Sequence, residues 1–199
     1  RSTPKPSSAA SDVYKRQADE NEYWFLNPEI ALTIDGTIDF GTVRPGTTAY
    51  SETLLVGNGA DEGSGVMLDM FIAGTDFYDP DPSRAMCPDT NQLALTNFRY
   101  FATSGAYSTA ADPRADAEGY VGIAYGNTIA QAEEILCTGP SGTGRASADK
   151  CKYNAAEKYS KGNVLSPGSE IALTFRLDLP EPCKGDFSQG SIYFWGEAV

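Results

Sequence analysis

Hydrophobic positions along this chain recur with a period of two more often than with the period of a helix. Ile30, Leu32 and Ile34 alternate with polar or small residues, and so do Ile38 and Phe40 beyond Asp35-Gly36. That is how extended segments with one buried face read. Asp-Gly is a strong turn signal and Pro45-Gly46 supplies a second, so two short strands should precede a longer one carrying Tyr50, Leu54 and Val56. Strands are expected again at Val66–Ala73, with Asp69 on its polar side or at an edge, and at Gln92–Thr103. In the latter, Leu93 and Leu95 give way to Phe98 and Tyr100 through a phase shift near Asn97, read as a bulge. Tyr120–Tyr125 reads as a short strand and Ser169–Leu179 as the most regular one, with Ile171, Leu173, Phe175, Leu177 and Leu179 in phase. Ser191–Val199 closes the chain, with Ile192 and Phe194 on one face and Tyr193 and Trp195 on the other. The one helical candidate is Thr128–Leu136, where Ile129, Ala132, Ile135 and Leu136 share a face. Gly57–Gly65 reads as a flexible loop and Ser104–Gly119 as an exposed excursion. Together these elements predict an all-β fold, a jelly-roll-like antiparallel β-sandwich with at most one or two short helices.

The N-terminal region departs from this pattern. Residues 1–17 are basic and rich in Ser and Pro, without periodicity. They read either as a disordered arm or as translated sequencing adaptor, since Asp12–Gln17 (DVYKRQ) matches the translation of a transposon-end sequence. A signal peptide is expected to precede the sequence given. Residues 18–28 contain four consecutive large apolar side chains, Tyr23, Trp24, Phe25 and Leu26, followed by Pro28. Such a run needs cover on both faces, which an isolated terminal strand lacks. It therefore either folds back as the first strand of its own sandwich or leaves to fill a groove in a neighbour. Residues 29–199 form the single sandwich domain, a length that supports a sizeable core.

Composition narrows the function. The chain carries a net charge of -12, which repels phosphate backbones and argues against nucleic-acid binding. It has no histidine, which excludes HExxH zinc sites and Ser-His-Asp or Cys-His nucleophilic catalysis. A two-carboxylate glycosidase remains open in principle, but nothing in the sequence pairs its acids. No apolar run is long enough to span a membrane. No Asn-x-Ser/Thr sequon occurs, while Ser/Thr-rich loops offer sites for O-linked glycans.

Four cysteines, Cys87, Cys137, Cys151 and Cys183, lack CxxC spacing and suit two disulfides in an oxidising compartment better than zinc or redox chemistry. Three connectivities are open. Cys137–Cys151 is favoured because it closes a Gly-rich loop, and Cys87–Cys183 because it pins a loop beside the last strand. That Gly-rich loop, Gly139–Gly144, lacks the GxxxxGK[ST] spacing of a phosphate cradle. Asp76, Asp79 and Asp81 place carboxylates along one Pro-rich loop and offer oxygen ligands for Ca²⁺, without EF-hand order; a plain solvated acidic loop is the alternative. Lys150, Lys152, Lys158 and Lys161 make a local basic patch, either a solvated face or a docking point for a neighbour's acidic loop.

The opening stretch has a further significance. Asp39-Phe40-Gly41, Pro45-Gly46 and Gly57-Asn58, with a weaker echo in Gly190–Val199, resemble the entry of the TasA/camelysin-like secreted proteins, which include biofilm fibre subunits and archaeal bundling pili. The resemblance covers about a quarter of the chain. It implies a jelly-roll sandwich whose N-terminal strand completes the sheet of the next subunit, with Tyr23, Trp24, Phe25, Leu26, Ile30 and Leu32 at the polymer interface. The metalloprotease activity described for the camelysin branch is not carried over, because the chain lacks histidine. The expectation is a secreted, non-enzymatic, self-polymerising fibre subunit. A monomeric carbohydrate-binding or adhesive sandwich is the alternative.

Overall fold

The most regular alternation in the sequence lies at the centre of the larger sheet. A computed structural model describes residues 30–138 and 148–199. Tyr23, Trp24, Phe25, Leu26 and the Gly139–Gly144 loop lie outside the described residues. In chain order the strands are β1 (Leu32–Asp35), β2 (Thr48–Asn58), β3 (Leu68–Gly74), β4 (Phe77–Tyr78), β5 (Gln92–Leu93), β6 (Phe98–Ser104), β7 (Tyr107–Ser108), β8 (Val121–Gly122), β9 (Glu133–Glu134), β10 (Val164–Leu165), β11 (Glu170–Asp178) and β12 (Ile192–Ala198). One sheet runs β1-β2-β11-β6-β7, with β8 also on β6. The second runs β10-β3-β12, with β9 also on β3, and β4 pairs with β5 apart from both. All these ladders are antiparallel. The protein is an all-β sandwich, and among the described residues its only helical turns are short 3₁₀ segments.

Period two explains the core. Ile171, Leu173 and Phe175 of β11, Val56 and Leu54 of β2 and Tyr100 and Ala102 of β6 face Leu68, Met70 and Ile72 of β3 across the two layers. A second cluster closes one end, where Leu93, Leu95, Phe98 and Leu177 pack around the Cys87–Cys183 disulfide. Gly57 of β2 sits between β1 and β11, where a Cβ would approach Thr33 Oγ1 to 2.8 Å and Glu170 Cγ to 2.9 Å, so a larger residue there must displace those side chains.

Several expected elements take another form. Thr128–Leu136 is not a helix: Ile129–Gln131 makes one 3₁₀ turn and Glu133–Glu134 pairs with β3. Its apolar residues go to different places, Ala132 beside Phe71 on the outer face of β3, Ile135 and Leu136 into the main core. The phase shift near Asn97 is the 3₁₀ turn Leu95–Asn97 rather than a bulge. The bulge lies in β2 instead, where the register with β11 slips between Thr174 and Arg176. There the Phe175 N–H donates to Ser51 Oγ at 3.0 Å, and the slip leaves Tyr50 on the outer face, 55% exposed. Asp69 is neither polar-side nor edge, because β3 has neighbours on both sides and all seven of its residues are buried; its carboxylate accepts from Asn163 Nδ2 at 2.9 Å. Of Tyr120–Tyr125 only Val121–Gly122 is strand. Gly57–Gly65 is tied down by Asn58, which donates through Nδ2 to Val66 O and Leu165 O.

Candidate functional site

Ile38 and Phe40 alternate as a strand would, yet they join no sheet. The chain follows β1 for four residues, then leaves the sheet at Gly36, whose φ of 110° favours glycine. From there it crosses the open side of the sandwich and returns through the Pro45-Gly46 turn into β2. Its departure leaves Thr48–Leu54 of β2, among the described residues, without a strand on that side, because β1 pairs only with Leu55–Asn58. In the second sheet β12 pairs with β3 along its whole length, and among the described residues no strand lies on its other edge.

Between these two open edges lies an apolar groove of about 890 Å³. Ile34 and Leu54 form one wall, Ile192 and Phe194 the other, and Ile38 and Phe40 lie in it. Toward the closed end it is bounded by Leu177, Leu179 and the Lys184–Ser188 loop, which the Cys87–Cys183 disulfide and the Asp186 N–H bond to Asp79 Oδ2 hold in place. Ile34 is 53% exposed, an apolar side chain left at the groove's lip.

The described chain enters at the other end of the sandwich. Ala31 accepts the N–H of Gly59, beside Asn58, Val66 and Leu165, and Leu32 pairs with Asn58. Leu179 and Phe98 lie at the groove end. Ten residue steps along β2 separate Asn58 from Thr48, a distance of about 33 Å at the usual rise. Of the sequence-expected interface residues, Leu32 lies on the edge strand and Ile30 just before it, 51% exposed, both at this entry end.

The acidic loop is organised differently from an ion site. Asp76 Oδ1 accepts the Leu95 N–H at 2.7 Å and its Oδ2 accepts from Gln92. Asp79 accepts the N–H groups of Asp81 and Asp186, and Asp81 accepts from Ser83 and pairs with Arg84. The three carboxylates fasten backbone at separate points and do not converge. Among the described residues the only close group of three acidic or cysteine side chains is Asp112, Cys137 and Cys151. It is a disulfide beside an ion pair, not a ligand set. Both disulfides have the favoured pairing, Cys87–Cys183 and Cys137–Cys151.

The sequence reading missed what the Ser104–Gly119 excursion does. Much of it is exposed, as expected, but it also buries Thr109 and Asp112 and wraps two ionic clusters. Arg114 donates to both oxygens of Asp112, to Glu133 Oε2 and to the carbonyl of Glu134. Burial acts to raise the Asp112 carboxyl, but the hydrogen bonds and charge of Arg114 outweigh it and hold it below the usual carboxylate value. Burial likewise pushes the Tyr100 hydroxyl up; it donates to the Ile135 carbonyl at 2.9 Å. On the outer face of the larger sheet Arg176 pairs with Asp116, Glu118 and Asp178, while its guanidinium lies 4.6 Å from the centre of the Tyr120 ring. No local signal marked them: Arg114 lies in a polar loop and Arg176 at a polar position in the alternation of β11.

Among the described residues no helix is long and apolar enough to cross a membrane. No protein-family model matches this chain, and no curated protein matches it.

Proposed function

We propose that this protein is a structural subunit of an extracellular filament, polymerising head to tail as the N-terminal strand of one copy fills the open side of the next. The observation that carries the reading is the apolar groove between two open sheet edges, at the end of the sandwich opposite to where the N-terminus enters. An exit at one end and a receptive groove at the other make a heterologous contact, which grows into a filament instead of closing into a dimer. The Tyr23–Leu26 run supplies apolar side chains on both faces of an extended segment, and the resemblance to TasA/camelysin-like proteins supports the same role. Two disulfides suit an oxidising, extracellular setting. The test compares the full chain with a chain lacking residues 18–28 by electron microscopy and sedimentation. Filaments from the first and folded monomers from the second support the proposal. Filaments from both, or from neither, overturn it.

A second reading, a monomeric carbohydrate-binding or adhesive module, draws on the outer face of the larger sheet. There Tyr50, Tyr120 and Phe101 lie side by side, with ring centres 6.0 and 5.7 Å apart. Retention of a monomeric chain on an insoluble polysaccharide, lost in Tyr50→Ala, would favour this reading over the filament.

A further inference from the structure

Resting on the filament reading, we infer that the incoming strand adds to β12 specifically, antiparallel to it, and that the segment doing so is Glu22–Pro28 of a second copy.

Natural sheet edges are protected by shortness, charge, proline or bulges. β1 has two such devices, being four residues long and ending in Asp35 before the chain turns away. The open part of β2 carries the bulge at Ser51 and the charge of Glu52. β7 and β10 are two residues each. β12 has almost none: seven residues in unbroken register with β3, with no lysine, arginine or proline and Glu197 as its one charge. Its hydrogen-bonding phase is also defined. Thr75 donates to Ser191 O and Val199 donates to Met67 O, so the odd-numbered residues face β3. By antiparallel alternation, Ile192, Phe194, Gly196 and Ala198 turn their N–H and C=O groups to the free edge.

Direction follows from the ends. β12 starts at the groove end and finishes beside Leu68, at the entry end. A neighbour stacked with its entry end against this groove sends its arm inward from Pro28 toward Glu22. Read from N to C, that arm runs from the entry end to the groove end, opposite to β12. The chain's own arm, folding back from Leu32, would run the other way and lie parallel to β12. Orientation therefore separates donation from self-filling.

The side chains fit both faces. Ile192 and Phe194 line the groove, while Tyr193 and Trp195 lie on the outer face with ring centres 5.6 Å apart. A partner strand beside β12 needs apolar side chains on both of its own faces, and Trp24 and Leu26 alternate with Tyr23 and Phe25. Cross-strand aromatic pairs then form on each side. Glu22–Pro28 and β12 are also equal in length, seven residues each.

Among the described residues no cysteine is free, so introduced cysteines report proximity cleanly. Two variants, each with one introduced cysteine beside the two native disulfides, are mixed, allowed to assemble and oxidised, and covalent heterodimers are read on a non-reducing gel. The inference predicts strong linkage for Glu22→Cys with Gly196→Cys and for Asn27→Cys with Ser191→Cys. Linkage of at least tenfold less is expected for the crossed pairs, Glu22→Cys with Ser191→Cys and Asn27→Cys with Gly196→Cys. Linkage of the crossed pairs overturns the antiparallel assignment. Filaments in which neither arrangement links to β12 overturn the choice of edge and leave the filament reading standing. Absence of filaments from the unmodified chain removes that reading, and this inference with it.

Discussion

Arg114 grips Asp112 with two hydrogen bonds, Nε to Oδ1 at 2.9 Å and Nη2 to Oδ2 at 2.6 Å, with only 9% of the arginine side chain and none of the aspartate exposed. Asp112 also accepts the Cys137 N–H at 3.0 Å, so the pair anchors the 104–119 excursion to one of the disulfides. Removing one partner leaves a buried, uncompensated charge, which is worth about 3–5 kcal/mol. Arg114→Met is expected to lower the thermal midpoint by roughly 10 °C, at about 2–4 °C per kcal/mol for a domain of this size. Adding Asp112→Asn to it should restore more than half of the loss, since an amide needs no counter-charge. Calorimetry of the two variants checks both statements.

Acid should weaken the same contacts. Asp112 and Asp116 both titrate below the ordinary carboxylate value, despite burial that acts to raise them. Arg114 outweighs that burial at Asp112, and the N–H groups of Tyr120 and Glu118 together with Arg176 do so at Asp116. An unfolded aspartate takes its proton near pH 3.9. Between that value and the lower folded values the unfolded chain binds more protons, so stability rises with pH there. The contribution is fully present above about pH 4 and is lost as pH falls through the folded values. Thermal midpoints measured from pH 7 down to pH 2.5 should fall most steeply below about pH 4. The fall should be shallower in Asp112→Asn.

These ionic clusters were the least legible part of the sequence. The alternation of Ile171, Leu173 and Phe175 revealed a buried strand because burial on one face has a period that survives in one dimension. The cysteine pairs were legible from their even number and the loops they would close. Arg176, in contrast, meets Asp116 across sixty residues and Arg114 meets Glu133 across nineteen, and no local pattern encodes such meetings. Thr128–Leu136 misled for a related reason: its apolar spacing fits a short helix, but β3 offers the backbone a ladder that a helix cannot use. The groove was half legible. Ile38 and Phe40 read as a strand, but they join no ladder and line the groove instead.

The two disulfides should differ in weight. Cys87 and Cys183 are 96 residues apart in sequence and Cys137 and Cys151 only 14. Cross-linking a longer loop removes more entropy from the unfolded chain, about 4.7 kcal/mol for a hundred residues against about 3 for fifteen. Cys87→Ser/Cys183→Ala is therefore expected to lose more stability than Cys137→Ser/Cys151→Ala, by about 1–2 kcal/mol. Cys87 and Cys183 also pack in the second apolar cluster beside Phe98 and Leu177, which adds to the difference. Denaturant midpoints of the two double variants decide the order.

The bulge in β2 depends on one hydroxyl. Ser51 Oγ accepts the Phe175 N–H at 3.0 Å and donates to Glu52 O at 2.6 Å, standing in for the ladder bond that the bulge interrupts. Ser51→Ala leaves a buried N–H without its acceptor, a loss of about 1–3 kcal/mol. Amide exchange at Phe175 should accelerate in this variant, while exchange at Leu173, on the regular side of the bulge, stays close to that of the parent.

A charge on the open edge should separate assembly from folding. Phe194 is partly exposed, lines the groove and turns its backbone polar groups to the free side of β12. Lysine there keeps an aliphatic stem against Ile192 and can carry its ammonium out through the groove mouth, so the lone subunit should stay folded. The same ammonium lies where a second strand would bury it, and natural edges use lysine to refuse such a strand. Phe194→Lys is expected to remain a monomer by sedimentation at concentrations where the parent forms filaments, with its far-ultraviolet spectrum unchanged. Thr174→Lys, on the central strand β11 away from the groove, serves as the matched control for added charge and should still assemble. Filaments of normal yield from Phe194→Lys would place the contact elsewhere on the molecule.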